Sequence, residues 1–67
     1  MSAPTGREPT PDDFTGAVRA AVRLVGFLGS ARVEGLVRED IEGQAGRALT
    51  EAERAMVTRM VGEEMAR

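Results

Sequence analysis

Two pairs of adjacent acids, Glu39 with Asp40 and Glu63 with Glu64, are the first candidates for catalytic groups in this sequence. Paired carboxylates serve acid–base catalysis or bind a hard cation when they converge on one point. Consecutive residues of a helix point about 100° apart, so neither pair converges if its segment is helical. We therefore interpret both pairs as solvated acids.

The missing residue types exclude most other chemistry. The chain has neither cysteine nor histidine, and its 9 basic residues are all arginines. It therefore has no thiolate nucleophile, no imidazole base to activate a serine and no Cys/His metal cluster. The sequence predicts a protein that is not an enzyme and that holds no cofactor or metal ion.

A glycine followed by a capped helix in QAGRALTEAERAMV, residues 44–57, invites comparison with a DNA-binding helix-turn-helix. That motif requires a small residue four positions before the turn glycine and apolar residues around it. Here Glu42 stands four positions before Gly46, and Arg47 follows the glycine. Residues 39–67 also contain 4 arginines against 7 acids, a net charge of −3 that repels phosphate. We therefore interpret this corner as a helical hairpin.

The first half of the chain offers a different surface for nucleic acid, although the net charge of the whole chain is −2. Residues 14–38 contain four arginines against Glu34 alone, and such a local excess of positive charge attracts phosphate. Two phenylalanines are the only aromatic residues available for stacking on bases, and a solvated arginine face is the commoner arrangement. A membrane-surface helix with outward arginines is a further alternative, which competes with burial in a core. We keep nucleic-acid binding as the alternative function, with these candidate contacts: Arg19, Arg23, Arg32 and Arg38.

Two sets of apolar side chains are candidate surfaces for binding another protein. On a helix, Gly16, Ala20 and Phe27 fall together on the side away from the core, and the small residues allow another helix to approach closely. Phe27 belongs either to this interface or to the monomer core, covered by a neighbouring helix. Three methionines form the second set, because flexible thioethers suit a partner's groove as well as an ordinary core. They are Met56, Met60 and Met65.

From these two sets we expect a small helical adaptor, inhibitor or accessory regulator that acts through protein contacts. A chain of 67 residues buries little core, which favours pairing with a second copy. We therefore expect a homodimer with Phe27 at or near the contact, together with a protein partner whose identity the sequence does not give.

The elements that position these residues are three helices, predicted near residues 12–28, 31–45 and 51–66. Apolar residues recur three or four positions apart in each helix, as a core-facing stripe requires. In the second helix, Gly35 and Gly43 interrupt good helix formers and weaken the helix. The stripe of the first helix consists of Phe14, Val18, Ala21, Val25 and Leu28, widened by Ala17, Val22 and Leu24.

Caps are expected where each helix begins, at Asp12, Ser30 and Thr50. Thr50 and Glu53 have the spacing of a capping box, in which each side chain bonds the amide of the other residue. Gly29 follows the first helix and can adopt the left-handed conformation that commonly ends a helix, and Gly46 is expected to end the second helix. Leu49, just before the last cap, is expected to fill the corner between the second and third helices.

Residues 1–11 are rich in proline, glycine and hydroxyl side chains, and we expect a flexible arm ahead of a single domain at 12–67. The start of the chain lacks the basic and apolar regions of a secretory signal. The most apolar stretch, AVRAAVRLVGFLG, is shorter than the roughly 20 residues that a membrane span needs. The sequence therefore predicts an all-α three-helix bundle, and we expect a cytoplasmic protein.

Overall fold

The computed structural model describes residues 8–67, which form three α-helices and one short 3-10 helix. Helix α1 spans Pro11–Val25, α2 spans Ser30–Ala45 and α3 spans Glu51–Met65, and the 3-10 helix Gly26–Leu28 connects α1 to α2. No strand occurs in this part of the chain, so the predicted all-α three-helix bundle is confirmed. Residues 1–7, most of the predicted arm, lie outside the described residues.

Helix α1 begins one residue earlier than predicted because Thr10, and not Asp12, caps it. The Asp13 amide donates to Thr10 Oγ1 at 3.2 Å, and the Thr10 amide donates to Asp13 Oδ2 at 2.9 Å. This reciprocal capping box has Pro11 as the first helical residue, where a missing N–H leaves no bond unmade. Asp12 lies in the first turn, where its negative charge is favourable without forming the cap.

Helix α1 ends at Val25, three residues before the predicted end, and the chain continues as the 3-10 helix. Gly29 then takes a φ of 102° and a ψ of 164°, a conformation that residues with a Cβ rarely adopt. Gly29 also becomes the N-cap of α2, and its carbonyl accepts the Val33 amide at 3.3 Å. The predicted cap at Ser30 is therefore wrong, because Ser30 is already the first residue of the helix.

The connection between α2 and α3 matches the sequence prediction closely. Gly46 has a φ of 72° in the left-handed region and ends α2. The Glu53 amide donates to Thr50 Oγ1 at 3.1 Å and the Thr50 amide donates to Glu53 Oε1 at 2.9 Å, so the predicted capping box is confirmed. Leu49 is buried in the corner, and its amide donates to Glu42 Oε2 at 3.0 Å.

One apolar core lies between the three helices, and it contains no buried polar side chain from the described residues. Leu24 and Leu28, both predicted to face this core, are instead 67% and 51% exposed. Leu28 lies beyond the end of α1, and Leu24 points about 90° from the centre of the buried stripe at 100° per residue. The core residues are Phe14, Val18 and Ala21 from α1, Val33, Val37 and Ile41 from α2, Leu49 from the connection, and Val57 and Val61 from α3.

Candidate interaction surface

The course of the three helices brings different parts of the chain together at the two ends of the bundle. At one end, an ion pair of 2.6 Å between Glu8 and Arg47 joins the segment before α1 to the connection between α2 and α3. At the other end, the last residue of α3, Met65, lies close to the 3-10 helix. A Cβ added at Gly26 would lie 3.9 Å from Met65 Sδ. The two ends therefore differ in the residues that the fold gathers there.

The polar end, which we define as Glu8, Thr10, Arg47, Thr50 and Glu53, is organised by one guanidinium. Arg47 Nη1 and Nη2 donate to the two carboxylate oxygens of Glu53 at 2.8 and 3.0 Å, and Nη2 also donates to Glu8 at 2.6 Å. The hydrogen bonds from Arg47, and then the one from the Thr50 amide, lower the pKa of Glu53 to about 2. Glu53 and Glu8 in turn raise the pKa of Arg47. This end fixes the start of α3 and holds the chain before α1.

The apolar end, which we define as Leu24, Phe27, Leu28 and Met65, has the opposite character. These four are the exposed large hydrophobic side chains of residues 8–67, with Phe27 83% and Met65 36% exposed. Residues 24–31 carry no charge, although 30% of the chain is charged. Exposed apolar side chains that form a contiguous patch are a common feature of interaction sites.

The first set of predicted interface residues, Gly16, Ala20 and Phe27, is exposed throughout. Phe27 is therefore not a core residue, and the alternative that a neighbouring helix covers it is excluded. However, α1 ends at Val25, so the α-helical spacing that aligned Phe27 with Gly16 and Ala20 does not extend to it. Phe27 instead lies in the 3-10 helix beside Leu28.

The three methionines of the second set divide between the core and the surface. Met56 and Met60 are half-buried and pack against the core. Met65 is exposed and lies beside Gly26, which makes it part of the apolar end. Of this set, Met65 contributes most to a surface that a partner can reach.

The four arginines predicted as nucleic-acid contacts are all exposed, but the fold distributes three of them over separate grooves. Each of these grooves also contains at least one glutamate, whose charge offsets part of the positive potential that attracts phosphate. Arg38 shares its groove with a second arginine, Arg54, and Arg19 shares its groove with Arg67. Arg23 lies in the last turn of α1, next to the apolar end. The groove partners are Glu63 and Glu64 for Arg19, Glu39 for Arg32, and Glu34 for Arg38.

Leu24 and Leu28 are the surface residues that the sequence reasoning missed, because the core stripe was widened to include Leu24 and extended to Leu28. For Leu28, a signal was present in Gly26 and Gly29, two glycines within four residues of sequence. Such a pair makes an uninterrupted helix through residue 28 costly. The Arg47 ion pairs also went unpredicted, since separations of 6 residues to Glu53 and 39 residues to Glu8 do not show which side chains meet.

Three further findings limit the chemistry that the surface can support. In the described range 8–67, no group of three acids comes together in a way that could hold a metal ion. No helix in that range is both long and apolar enough to cross a bilayer. Comparisons with protein-family models, curated protein sequences and solved structures find no match. Any proposal about function therefore rests on the contacts, exposure and charge of the chain's own residues.

Proposed function

We propose that this protein is a non-catalytic interaction module, an adaptor, inhibitor or accessory regulator, whose apolar end binds another protein. The observation that carries the proposal is Phe27, which is 83% exposed and lies within three residues of the exposed Leu24 and Leu28 in the sequence. Burial of one such side chain is worth roughly 1.5–3 kcal/mol. A partner that covers all three gains enough apolar burial for specific binding through a small surface.

The exposure and charge of the apolar end favour a partner of definite chemistry. Phe27 and Leu24 are mostly exposed, so a partner that buries them needs an apolar surface, for which we propose a pocket. The charged residues that flank the uncharged segment in the sequence, Arg23 and Arg32, are both positive. Acidic residues around the partner's pocket would pair with these arginines and orient the complex.

The core supports the proposal because it is complete without the apolar end. None of the nine core residues belongs to that end, and the core includes residues of all three helices. No buried side-chain nitrogen or oxygen in the described residues lacks a hydrogen-bond partner. The side chains of the apolar end are therefore available for a function other than folding.

Nucleic-acid binding through Arg19, Arg23, Arg32 and Arg38 stays a prediction from the sequence. In the grooves of Arg19 and Arg32 the glutamates balance the arginines, which weighs against phosphate binding there. The groove of Arg38 also contains Arg54 and keeps a positive charge. If it were correct, binding of duplex or single strands at low salt would weaken steeply as salt rises and would disappear when Arg19 and Arg23 are both changed to glutamate. An electrophoretic mobility shift measures this directly.

Site-specific photo-cross-linking tests the proposed surface. A photoreactive phenylalanine analogue replaces Phe27 in one variant and Arg59, exposed on α3, in a control variant. Each variant is expressed in the cells from which the chain comes. We expect one discrete heterologous adduct from position 27 and none of that mass from position 59.

Competition makes the cross-linking result specific to the apolar end. An excess of unlabelled natural protein should suppress the adduct, whereas an excess of the Phe27→Asp variant should not. Equal cross-linking from positions 27 and 59, no adduct from position 27, or equal suppression by both competitors would each refute the proposal.

A further inference from the structure

Helix α2 has an outer face that the other described parts of the chain leave exposed or half-buried, and Leu36 on this face also packs against the core. Its inner face carries Val33, Val37 and Ile41 into the core. Residues spaced by three, four, seven and eleven positions lie along one side of a helix. From Arg32 onward, that spacing selects Gly35, Leu36, Glu39 and Gly43, all of them exposed or half-buried.

Packing within the chain does not require glycine at the two glycine positions of this outer face. A Cβ added at Gly35 or at Gly43 meets nothing within 4 Å. Each glycine weakens a helix interior relative to alanine, so the chain keeps two unfavourable residues on one face of the same helix. Because glycine has no side chain, a second helix could approach α2 closely at these two positions.

The rest of the face shows which helix would fit. A two-fold axis between Gly35 and Leu36 runs two copies of α2 antiparallel and places Arg32 of each copy opposite Glu39 of the other. Within the described residues, neither of these charges forms an ion pair. The face is therefore complementary to itself in charge.

The same axis is complementary in shape. It sets Leu36 of each copy against Gly35 of the other, a contact that the two-fold axis makes twice. Leu28 is 51% exposed and lines a groove of about 220 Å³ together with Arg32, Gly35 and Leu36. In each contact of Leu36 with Gly35, a large apolar side chain of one copy meets a missing side chain of the other.

We propose that two copies of this protein pair through antiparallel α2 helices about an axis between Gly35 and Leu36. This proposal goes beyond the proposed binding of another protein and shares only Arg32 and the groove-lining Leu28 with it. It also gives the dimer expected from the sequence a different contact from Gly16, Ala20 and Phe27.

A charge swap tests the pairing by sedimentation equilibrium of the full chain. Arg32→Glu alone and Glu39→Arg alone should each raise the dimer dissociation constant about tenfold or more, because each change places like charges together twice in a symmetric contact. The double variant restores opposite charges and should return the constant to within about threefold of the natural protein. Arg38→Glu, an exposed charge change on another side of the same helix, is the matched control and should leave dimerisation unchanged.

Leucine substitutions at two glycines, one of them a control, test whether the two helices approach closely. Gly35→Leu should abolish dimerisation, whereas Gly62→Leu should not, because Gly62 is exposed on α3 and equally open around its Cα. Circular dichroism should show both variants as helical as the natural protein, since leucine favours a helix more than glycine does.

Three outcomes would overturn the pairing: a natural protein that stays monomeric up to about 1 mM, a double charge variant that fails to recover dimerisation, or equal effects of the two leucines. The cross-linking from position 27 does not depend on any of these results. The two proposals can therefore fail separately.

Discussion

The two ends of this bundle differ in what stabilises the connections between helices: side chains at one end and the backbone at the other. At the polar end, side chains fix where helices begin: Thr10 and Thr50 form capping boxes, and Arg47 binds Glu53 and Glu8. At the apolar end, the backbone of Gly29 makes the turn, and no side-chain cap precedes α2. Polar side chains thus stabilise helix starts at one end, whereas the apolar side chains at the other end remain exposed to solvent.

The chain has two phenylalanines, and one lies in the core while the other lies at the apolar end. Phe14 is 2% exposed in the core, and Phe27 is 83% exposed at the apolar end. A hydrophobic residue contributes to folding according to the apolar surface that it buries. The two side chains are therefore expected to differ strongly in their effect on stability.

The largest expected effect is that of Phe14→Ala. Loss of a fully buried phenylalanine removes about 3–5 kcal/mol of stability, through lost burial and the cavity left behind. A domain of 67 residues has about 3–10 kcal/mol in total, so the variant should be partly or wholly unfolded at room temperature. Circular dichroism during urea titration measures this. A loss below about 1 kcal/mol would mean that Phe14 is not central to the core.

The caps give the next largest effect and compare the two ends directly. Thr50→Ala removes a capping-box hydroxyl at the polar end and should cost about 1 kcal/mol in unfolding free energy. Ser30→Ala changes a hydroxyl at the start of α2 that makes no capping bond, so its effect should lie within about 0.5 kcal/mol of zero. Equal losses from the two variants would show that the assigned cap of α2 is wrong.

Acid should weaken the polar end through Glu53. Its pKa is about 2 in the fold, below the ordinary value of 4.5, so the charged carboxylate stabilises the native state. That contribution is complete above pH 4.5 and is lost as the pH falls toward 2. Thermal unfolding between these values should show a lower midpoint at each step. Glu53→Gln should reduce that dependence, whereas Glu51→Gln, a change of the same charge in the same turn, should retain it.

The polar end could be predicted from sequence only where the interaction is local. Thr50 and Glu53 stand three positions apart, so the spacing of their capping box is visible in the chain, and so is Gly46 as the end of α2. The capping box of Thr10 and Asp13 has the same spacing, but an acid at the helix start misled the assignment. The pairing of Arg47 with Glu8 joins residues far apart in the chain, and only the packing of the helices brings them together.

The apolar end was harder to predict because periodicity assumes that a helix continues. The period correctly gave Phe14, Val18 and Ala21 as core residues. It then assigned Leu28 to the same stripe, although α1 ends at Val25 and the 3-10 helix turns the side chain in another direction. Whether Phe27 is buried depended on where α1 ends, which local propensity fixes only to within a few residues.

The unfolding free energy of Phe27→Asp tests the central claim that the apolar end is separate from the fold. The measurement uses urea titration at low micromolar concentration, so that self-association does not contribute. Phe27 is 83% exposed, so the variant should match the natural protein within about 0.5 kcal/mol. A loss of about 2 kcal/mol or more would show that Phe27 is buried in the native protein, and would contradict the account.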